Sequence, residues 1–349
     1  MNKKNESQKT PIRDLGRQGL MDRLSARFTS NNPATVQGPG DDASAACFRD
    51  SITVSAQKLS LEGIDFDLSY FPLKFVGYKT AVHAMGQVLA MNATPLQLLV
   101  CAGLSQRFYV EDVDQLFLGI EAAAQTYGAD IGFVDIQSSY TGLSVAITAV
   151  GECDAGLLTR RSGARSTDLI CLSGNVGAAY MGLQLLEREK RVFTGETEKD
   201  ELPNLEGHEY ILERYLKPEL PKALLDNLKA DDIVPTSMCF LTSGLADGTL
   251  RIAKSSGTGA KLFADKIPIA KATYDFAETD NNLSPLVAAL NGGDDFQMLF
   301  TLPLDIYETV SKEYSLDIIG HMCEEALGCT LVTPDGRSLA LESPGMENV

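Results

Sequence analysis

Leu20, Leu24 and Phe28 recur at every fourth position, a spacing that predicts an amphipathic helix near the N-terminus. A turn of Gly, Pro and Asp follows from Gly38 to Asp42, and Ser51 to Ser55 predict a short strand. Lys74 to Met91, rich in Ala, Met and Val, predicts a helix that stops at the Asn-Ala-Thr-Pro segment ending in Pro95. Leu96 to Leu104 is a β-type apolar run. Val110 to Tyr127 places Val113, Leu116, Ile120 and Ala124 on one helical face. Ile131 to Ile136 and Leu143 to Val150 read as strands. The N-terminal half thus mixes helices with strands spaced for one sheet.

The polar, Gly-punctuated stretch from Cys153 to Thr167 marks a boundary. It divides the chain into an N-terminal α/β domain, residues 1–152, and a C-terminal one, residues 153–349. The second opens with a strand at Asp168 to Ser173, turns through Gly174-Asn175-Val176-Gly177 and enters a helix from Ala178 to Lys190. Thr194 to Gly207 is acidic and polar, the pattern of an exposed loop. Helices follow near Tyr210 to Leu216, Leu220 to Lys229 and Leu245 to Ser256. Strands return at Phe296 to Phe300, Ile318 to Gly320 and Thr330 to Val332.

Charge narrows the partners. The formal net charge of −17 repels phosphate backbones and anionic lipid, so neither nucleic acid nor a membrane is expected. No apolar run reaches the roughly 18–20 residues that cross a bilayer, and MNKKNESQKT lacks the apolar stretch of a secretory signal. The seven cysteines are odd in number and form no C-x-x-C pair, as expected of buried free thiols in the reducing cytoplasm. His83, His208 and His321 are too scattered for a zinc cluster.

Four places could carry chemistry: Gly40-Asp41-Asp42, the strand end at Ser55 to Lys58, Asp135, and Asn291-Gly292-Gly293-Asp294-Asp295. Paired aspartates at glycine turns supply the hard oxygen ligands that Mg²⁺ needs when it bridges protein and phosphate. Each pair could equally cap its own turn. The Gly174 to Gly177 turn could cradle a phosphate with backbone N–H groups, or only seat its helix on the strand. It is neither a Walker A nor a G-x-G-x-x-G sequence.

Taken in order, GPGDDAS, LEGIDFDL, GYKTAV…AMNATP, LLTRRSGAR, LICLSGNVGAAYMGLQLLEREK, LKPELPK and LNGGDDFQMLF resemble the thiamine-monophosphate kinase family, from about Gly16 to Gly345. That family belongs to the aminoimidazole ribonucleotide synthetase-like superfamily. The resemblance implies a two-domain α/β (α+β) fold, with an N-terminal sheet that pairs across a homodimer and a C-terminal α/β domain closing over a cleft. There ATP passes its γ-phosphoryl group to thiamine phosphate, with Mg²⁺ ions shared among aspartates. Carried over residue by residue, it makes Asp41, Asp42 and Asp135 the metal side. It puts Ser55, Asp135, Arg161 and Thr242 on the nucleotide, and Asp65 and Asp294 on the substrate. No catalytic side chain is implied.

The same carry-over shows departures. Ala56-Gln57 stand for Thr and a bridging ligand Asp, and Gln87 for the Asp of Asn-x-Ser-Asp. Phe240-Leu241-Thr242-Ser243 stand for Asp-x-Ser-Asp. Phe133 and Val134 replace two glycines, Asp65 a histidine, and Met346 a stacking aromatic residue. Four carboxylates are therefore absent, at 57, 87, 240 and 243. Each is worth at most about 4 kcal/mol per cation charge, and a quarter of that at every position removes roughly three factors of ten from phosphoryl transfer. The expectation is weak or absent kinase activity, or a catalytically inactive paralogue with a regulatory or structural role.

Overall fold

The computed structural model describes residues 35–37, 41–42, 44–48, 51–195, 203–279, 283–314 and 316–344. The helix expected at Leu20 to Phe28, Met346 and the middle of the Thr194 to Gly207 stretch lie outside the described residues.

The first sheet contains β1 (Thr35–Gln37), β2 (Ser44–Phe48), β3 (Ser51–Leu61), β4 (Thr94–Leu104), β5 (Asp130–Ser138) and β6 (Ser144–Asp154), in the order β1-β2-β3-β6-β4-β5. Helices α1 (Leu73–Leu89) and α2 (Val110–Tyr127) belong to the same half, and α2 is the crossover that makes β4 and β5 parallel. Strand β3 shows why one face of the sheet is covered. Ile52, Val54 and Ala56 are buried, while Gln57 and Leu59 on the other face are exposed. Helix α1 is buried on almost every side, so its sequence reads as apolar throughout rather than as one stripe. Its approach to α2 depends on two glycines. A Cβ on Gly119 would come within 1.8 Å of the Lys74 carbonyl oxygen, and one on Gly77 within 2.0 Å of that of Leu116.

The second sheet contains β7 (Leu169–Leu172), β8 (Ser237–Phe240), β9 (Thr258–Phe263), β10 (Met298–Leu302), β11 (Asp317–Glu324), β12 (Cys329–Val332) and β13 (Ser338–Ala340), ordered β13-β12-β9-β11-β7-β10-β8. Around it lie α3 (Ala178–Phe193), α4 (Glu209–Leu216), α5 (Lys222–Ala230), α6 (Leu245–Ser256), α7 (Lys271–Ala277), α8 (Pro285–Asn291) and α9 (Tyr307–Glu313). Strands β7, β8 and β10 are buried on both faces, hence their unbroken apolar runs. One apolar core runs from the first sheet through α1 to Phe240, Phe296, Met298 and Phe300 of the second half. The molecule is a mixed α/β protein of two sheets with helices. Among the described residues no helix is long and apolar enough to cross a membrane.

All seven cysteines are free. Cys153, Cys171, Cys239 and Cys323 are buried, but Cys101 is exposed, because its place in LLVCAGL turns it onto the uncovered face of β4.

Candidate functional site

Asp41 and Asp42 sit just before β2 and face the second half of the chain. The Arg161 guanidinium reaches Asp42 Oδ1 at 2.5 Å and Asp41 Oδ1 at 3.8 Å. Arg251, on α6, reaches Asp42 Oδ1 at 3.3 Å and Asp247 Oδ2 at 3.5 Å. The Phe240 N–H donates to Asp42 Oδ2 (3.3 Å), and the Arg161 N–H to Asp41 Oδ2 (3.3 Å). All these side chains are largely buried. Burial raises the pKa of Asp41 and of Asp247, only partly offset by the arginines. Burial alone would lower the pKa of Arg161, but the negative groups around it, Asp42 first, carry the net shift upward.

Phe240 ends β8 beneath α1. Its ring packs against His83 (centroids 5.7 Å apart) and Phe296 (5.1 Å), and is 2% exposed. A Cβ on Gly86 would lie 2.3 Å from this ring. The ring therefore fills space that only a glycine on α1 leaves open. Gln57 donates its amide to Thr148 Oγ1 (2.8 Å). Gln87 Oε1 is buried with no hydrogen-bond partner among the described residues.

The loop between α8 and β10 aims three neighbours in three directions. Asp294 and Phe296 both take left-handed backbone, at φ 58° and 53°, conformations that hold only when surrounding bonds fix them. The Asp294 N–H donates to the Thr242 carbonyl (3.1 Å), and that of Phe296 to the Leu241 carbonyl (3.1 Å). Asp294 Oδ2 lies 2.9 Å from Lys79 Nζ of α1, and that ammonium sits 3.8 Å above the Tyr215 ring. Burial lowers the pKa of Lys79 despite the Asp294 charge. For Asp294, burial alone would raise the pKa, but the charge and hydrogen bond of Lys79, together with His83 and Lys58, outweigh it and hold the carboxyl below its ordinary value. Asp65 accepts from Lys58 Nζ (2.5 Å) and from the Leu61 N–H (2.8 Å). Lys58, Asp65, Lys79, His83 and Asp294 line a cavity of about 40 Å³, room for a water or two rather than an aromatic ligand. It adjoins, through Asp65 and Asp294, a wider cleft of about 390 Å³ between Tyr70, Glu187, Lys190 and Tyr215.

Asp295 is buried, and both its oxygens accept from the Gly177 N–H, at 2.8 and 2.9 Å. The Val176 N–H donates to the Pro268 carbonyl (3.0 Å). Two amides of the Gly174 to Gly177 turn are thus engaged by the protein, and the turn seats α3 rather than presenting them to a phosphate. Burial pushes Asp295 up to about 7, against the pull of the amides at the start of α3. A carboxyl raised from 3.8 to about 7 binds its proton more tightly in the folded state. Stability from this group is full below about pH 4 and falls by on the order of 4 kcal/mol as pH rises to about 7. Asp295→Asn keeps an acceptor for Gly177 and is expected to flatten that slope. Denaturant unfolding of both proteins across that range checks it, and equal slopes would contradict it.

Asp135 does not join Asp42. It lies on β5, the far edge of the first sheet, beside Gln137 Nε2 (3.3 Å), and β4 and β6 separate it from Ser55 on β3. Three strand spacings are about 14 Å. Asp135 also pairs across the sheet with Cys101, which pairs with Ala146 and then Leu59, four residues beyond Ser55. A divalent site shared by Asp42 and Asp135 within one chain, as the sequence suggests, is ruled out by this register. Among the described residues no three His, Cys, Asp or Glu side chains are placed to hold a metal ion. With Asp42 bound by two arginines and Phe240 apolar, the residues present do not fit the expected Mg²⁺ cluster.

Sequence reasoning missed Lys79, His83, Asp247 and Arg251. A lysine inside the apolar run of α1, and the Asp247–Arg251 spacing of four on a helix, are signals that could have found three of them.

Known proteins share parts of this sequence and fold. Residues 40–153 match the model of the AIR synthase related protein, N-terminal domain. Thiamine-monophosphate kinase from Aquifex aeolicus is 26% identical over 292 residues, 84% of this chain and 87% of that protein. The Bacillus subtilis enzyme is 24% identical over 332 residues, 93% and 97% of the two chains. Over most of its length the chain is similar to thiamine-monophosphate kinases. Its fold matches that of AaThiL complexed with AMPPCP and TMP, at TM-score 0.78 and 24% identity over 95% of this chain and 97% of that one. It also matches the hydrogenase maturation protein HypE in complex with ATP, at TM-score 0.63 and 14% identity over 95% and 92%. At 240 and 57, two positions where the resemblance implies carboxylates, the structure shows what the residues present do. Position 240 holds an aromatic plug, and Gln57 is turned to a neighbouring strand.

Proposed function

We propose that this chain is a thiamine-monophosphate kinase-like protein in which ATP-dependent phosphorylation of thiamine phosphate is weak or absent, leaving a regulatory or structural member of the family. The observation that carries this reading is the pairing of Asp42 with Arg161 and Arg251 beside the Phe240 plug. A carboxylate held by two guanidinium groups must give up those ion pairs before it can bind Mg²⁺, and phosphoryl transfer relies on such ions to neutralise charge. Calorimetric titration of MgATP tests it. The expected dissociation constant is millimolar or weaker, and a micromolar one would show a working nucleotide site.

The reading includes a homodimer. The open face of the first sheet exposes Leu59 and Phe133, 51% and 56% exposed, with Leu99, Ala146 and Val150 among the partly covered residues between them. An apolar sheet face of this kind suits a second copy. Light scattering at micromolar concentration is expected to give twice the chain mass, and Leu59→Lys with Phe133→Lys to halve it. A monomeric parent refutes the dimer. Seven free cysteines suit a reducing compartment, which supports a cytoplasmic location.

A further inference from the structure

The two halves of the chain meet at one carboxylate. Asp42 belongs to the strand system of the first sheet. Its partners come from three places in the second half: Arg161 ahead of β7, the Phe240 backbone at the end of β8, and Arg251 on α6. Arg251 continues to Asp247 one turn earlier on its own helix. Among the described residues, three carboxylates, Asp41, Asp42 and Asp247, and two guanidinium groups thus share one largely buried cluster with a formal charge of −1. Buried carboxylates persist only with a counter-charge and hydrogen bonds. Elsewhere such clusters are neutralised by divalent cations, which accept only oxygen ligands with free lone pairs. Here the lone pairs of Asp42 point at N–H groups.

We propose that Arg251, set beside Arg161 on Asp42, is a built-in replacement for a divalent cation, latching the N-terminal sheet onto the C-terminal one without metal. A guanidinium suits this role because it is always charged and offers several donors in a fixed plane. A cation that cannot dissociate makes the junction between the halves permanent, where a bound ion would make it conditional on metal supply. The Phe240 ring, wedged between His83, Phe296 and Gly86, closes the same junction from its apolar side. The inference rests on the same arginine-bound Asp42 as the proposed function, but it is read from stability rather than turnover, so the two can fail separately.

Removing Arg251 leaves a formal charge of −2 on three carboxylates and one guanidinium, the charge a divalent cation would balance. The test is thermal unfolding of parent, Arg251→Met and Arg251→Lys in EDTA and in millimolar MgCl₂, with Mn²⁺ binding followed by electron paramagnetic resonance. The parent is expected to unfold at the same temperature in both buffers and to leave Mn²⁺ free. Arg251→Met is expected to unfold at least about 5 °C lower in EDTA and to recover several degrees in MgCl₂. Arg251→Lys, which keeps the charge, is expected to lose less and to ignore Mg²⁺. A parent stabilised by Mg²⁺ would overturn the proposal. So would an Arg251→Met protein that loses stability without rescue by Mg²⁺, since Arg251 would then be an ordinary ion-pair partner. If Arg251→Met does not fold, Arg251→Gln takes its place, and the parent's response to Mg²⁺ and Mn²⁺ still decides.

Discussion

Phe240→Asp is expected to lower the unfolding midpoint by more than about 10 °C. Two costs add. Removing a fully buried phenylalanine ring costs about 3–5 kcal/mol through lost transfer energy and the cavity left behind. The new carboxylate would then sit between His83, Phe296 and α1, next to a backbone that already donates to Asp42. An unpaired buried carboxylate costs several kcal/mol more, or takes up a proton. In a chain of this size each kcal/mol moves the midpoint by about 2–4 °C or less, so even the first cost alone is visible. Differential scanning calorimetry checks it. A variant as stable as the parent would mean that the plug is wet and that position 240 still tolerates a ligand. The result also bears on restoring the family pattern. Any attempt to return Asp to 240 must deal with Gly86, whose missing side chain exists in register with the ring.

Much of the fold was legible because local rules and tertiary packing agree in those stretches. Helices α2 and α6 have the bounds that periodicity predicts, and each ends at a glycine in left-handed conformation, Gly128 (φ 76°) and Gly257 (φ 65°). Strand β3 was read too short, as Ser51 to Ser55. Its continuation Ala56-Gln57-Lys58-Leu59-Ser60 carries polar residues on the open face and into the cavity, so the apolar signal fades while the ladder to β6 continues. Strands β1, β2, β8, β9 and β13 were missed as elements, along with the short helices α7, α8 and α9, since three to seven residues carry too little periodicity. The run Met238-Cys239-Phe240-Leu241 is apolar throughout, and all four are 0–2% exposed.

The candidate site divides differently. Residue types at turns located Asp41, Asp42, Asp294 and Asp295, but their partners are long-range and leave no mark in local sequence. Asp42 and Arg251 are 209 positions apart, and Gly177 and Asp295 are 118. Asp294 and Asp295 are neighbours with opposite roles. The first pairs with Lys79 in the cleft, and the second holds the start of α3. A doubled aspartate in sequence suggests two ligands for one ion. Left-handed backbone at Asp294 points them apart. Asp135 was assigned to the same metal side as Asp42, although strand order puts the width of the sheet between them.

The largest functional effect expected is on turnover. If positions 57, 87, 240 and 243 are the carboxylate positions that the resemblance implies, their replacement removes roughly three factors of ten by the charge argument, and the structure adds two obstacles. Asp42 is already bound by arginines, and the Phe240 ring closes the junction beside it. Formation of thiamine diphosphate from thiamine phosphate and MgATP, followed directly by chromatography with purified protein in excess Mg²⁺, reads the combined outcome. The account predicts a rate at least about a thousandfold below the ~1 s⁻¹ of an ordinary enzyme, with no rise on raising Mg²⁺. A Mg²⁺-dependent rate of ~1 s⁻¹ or faster would contradict it, and would mean that the paired Asp42 releases its arginines to a metal during each cycle.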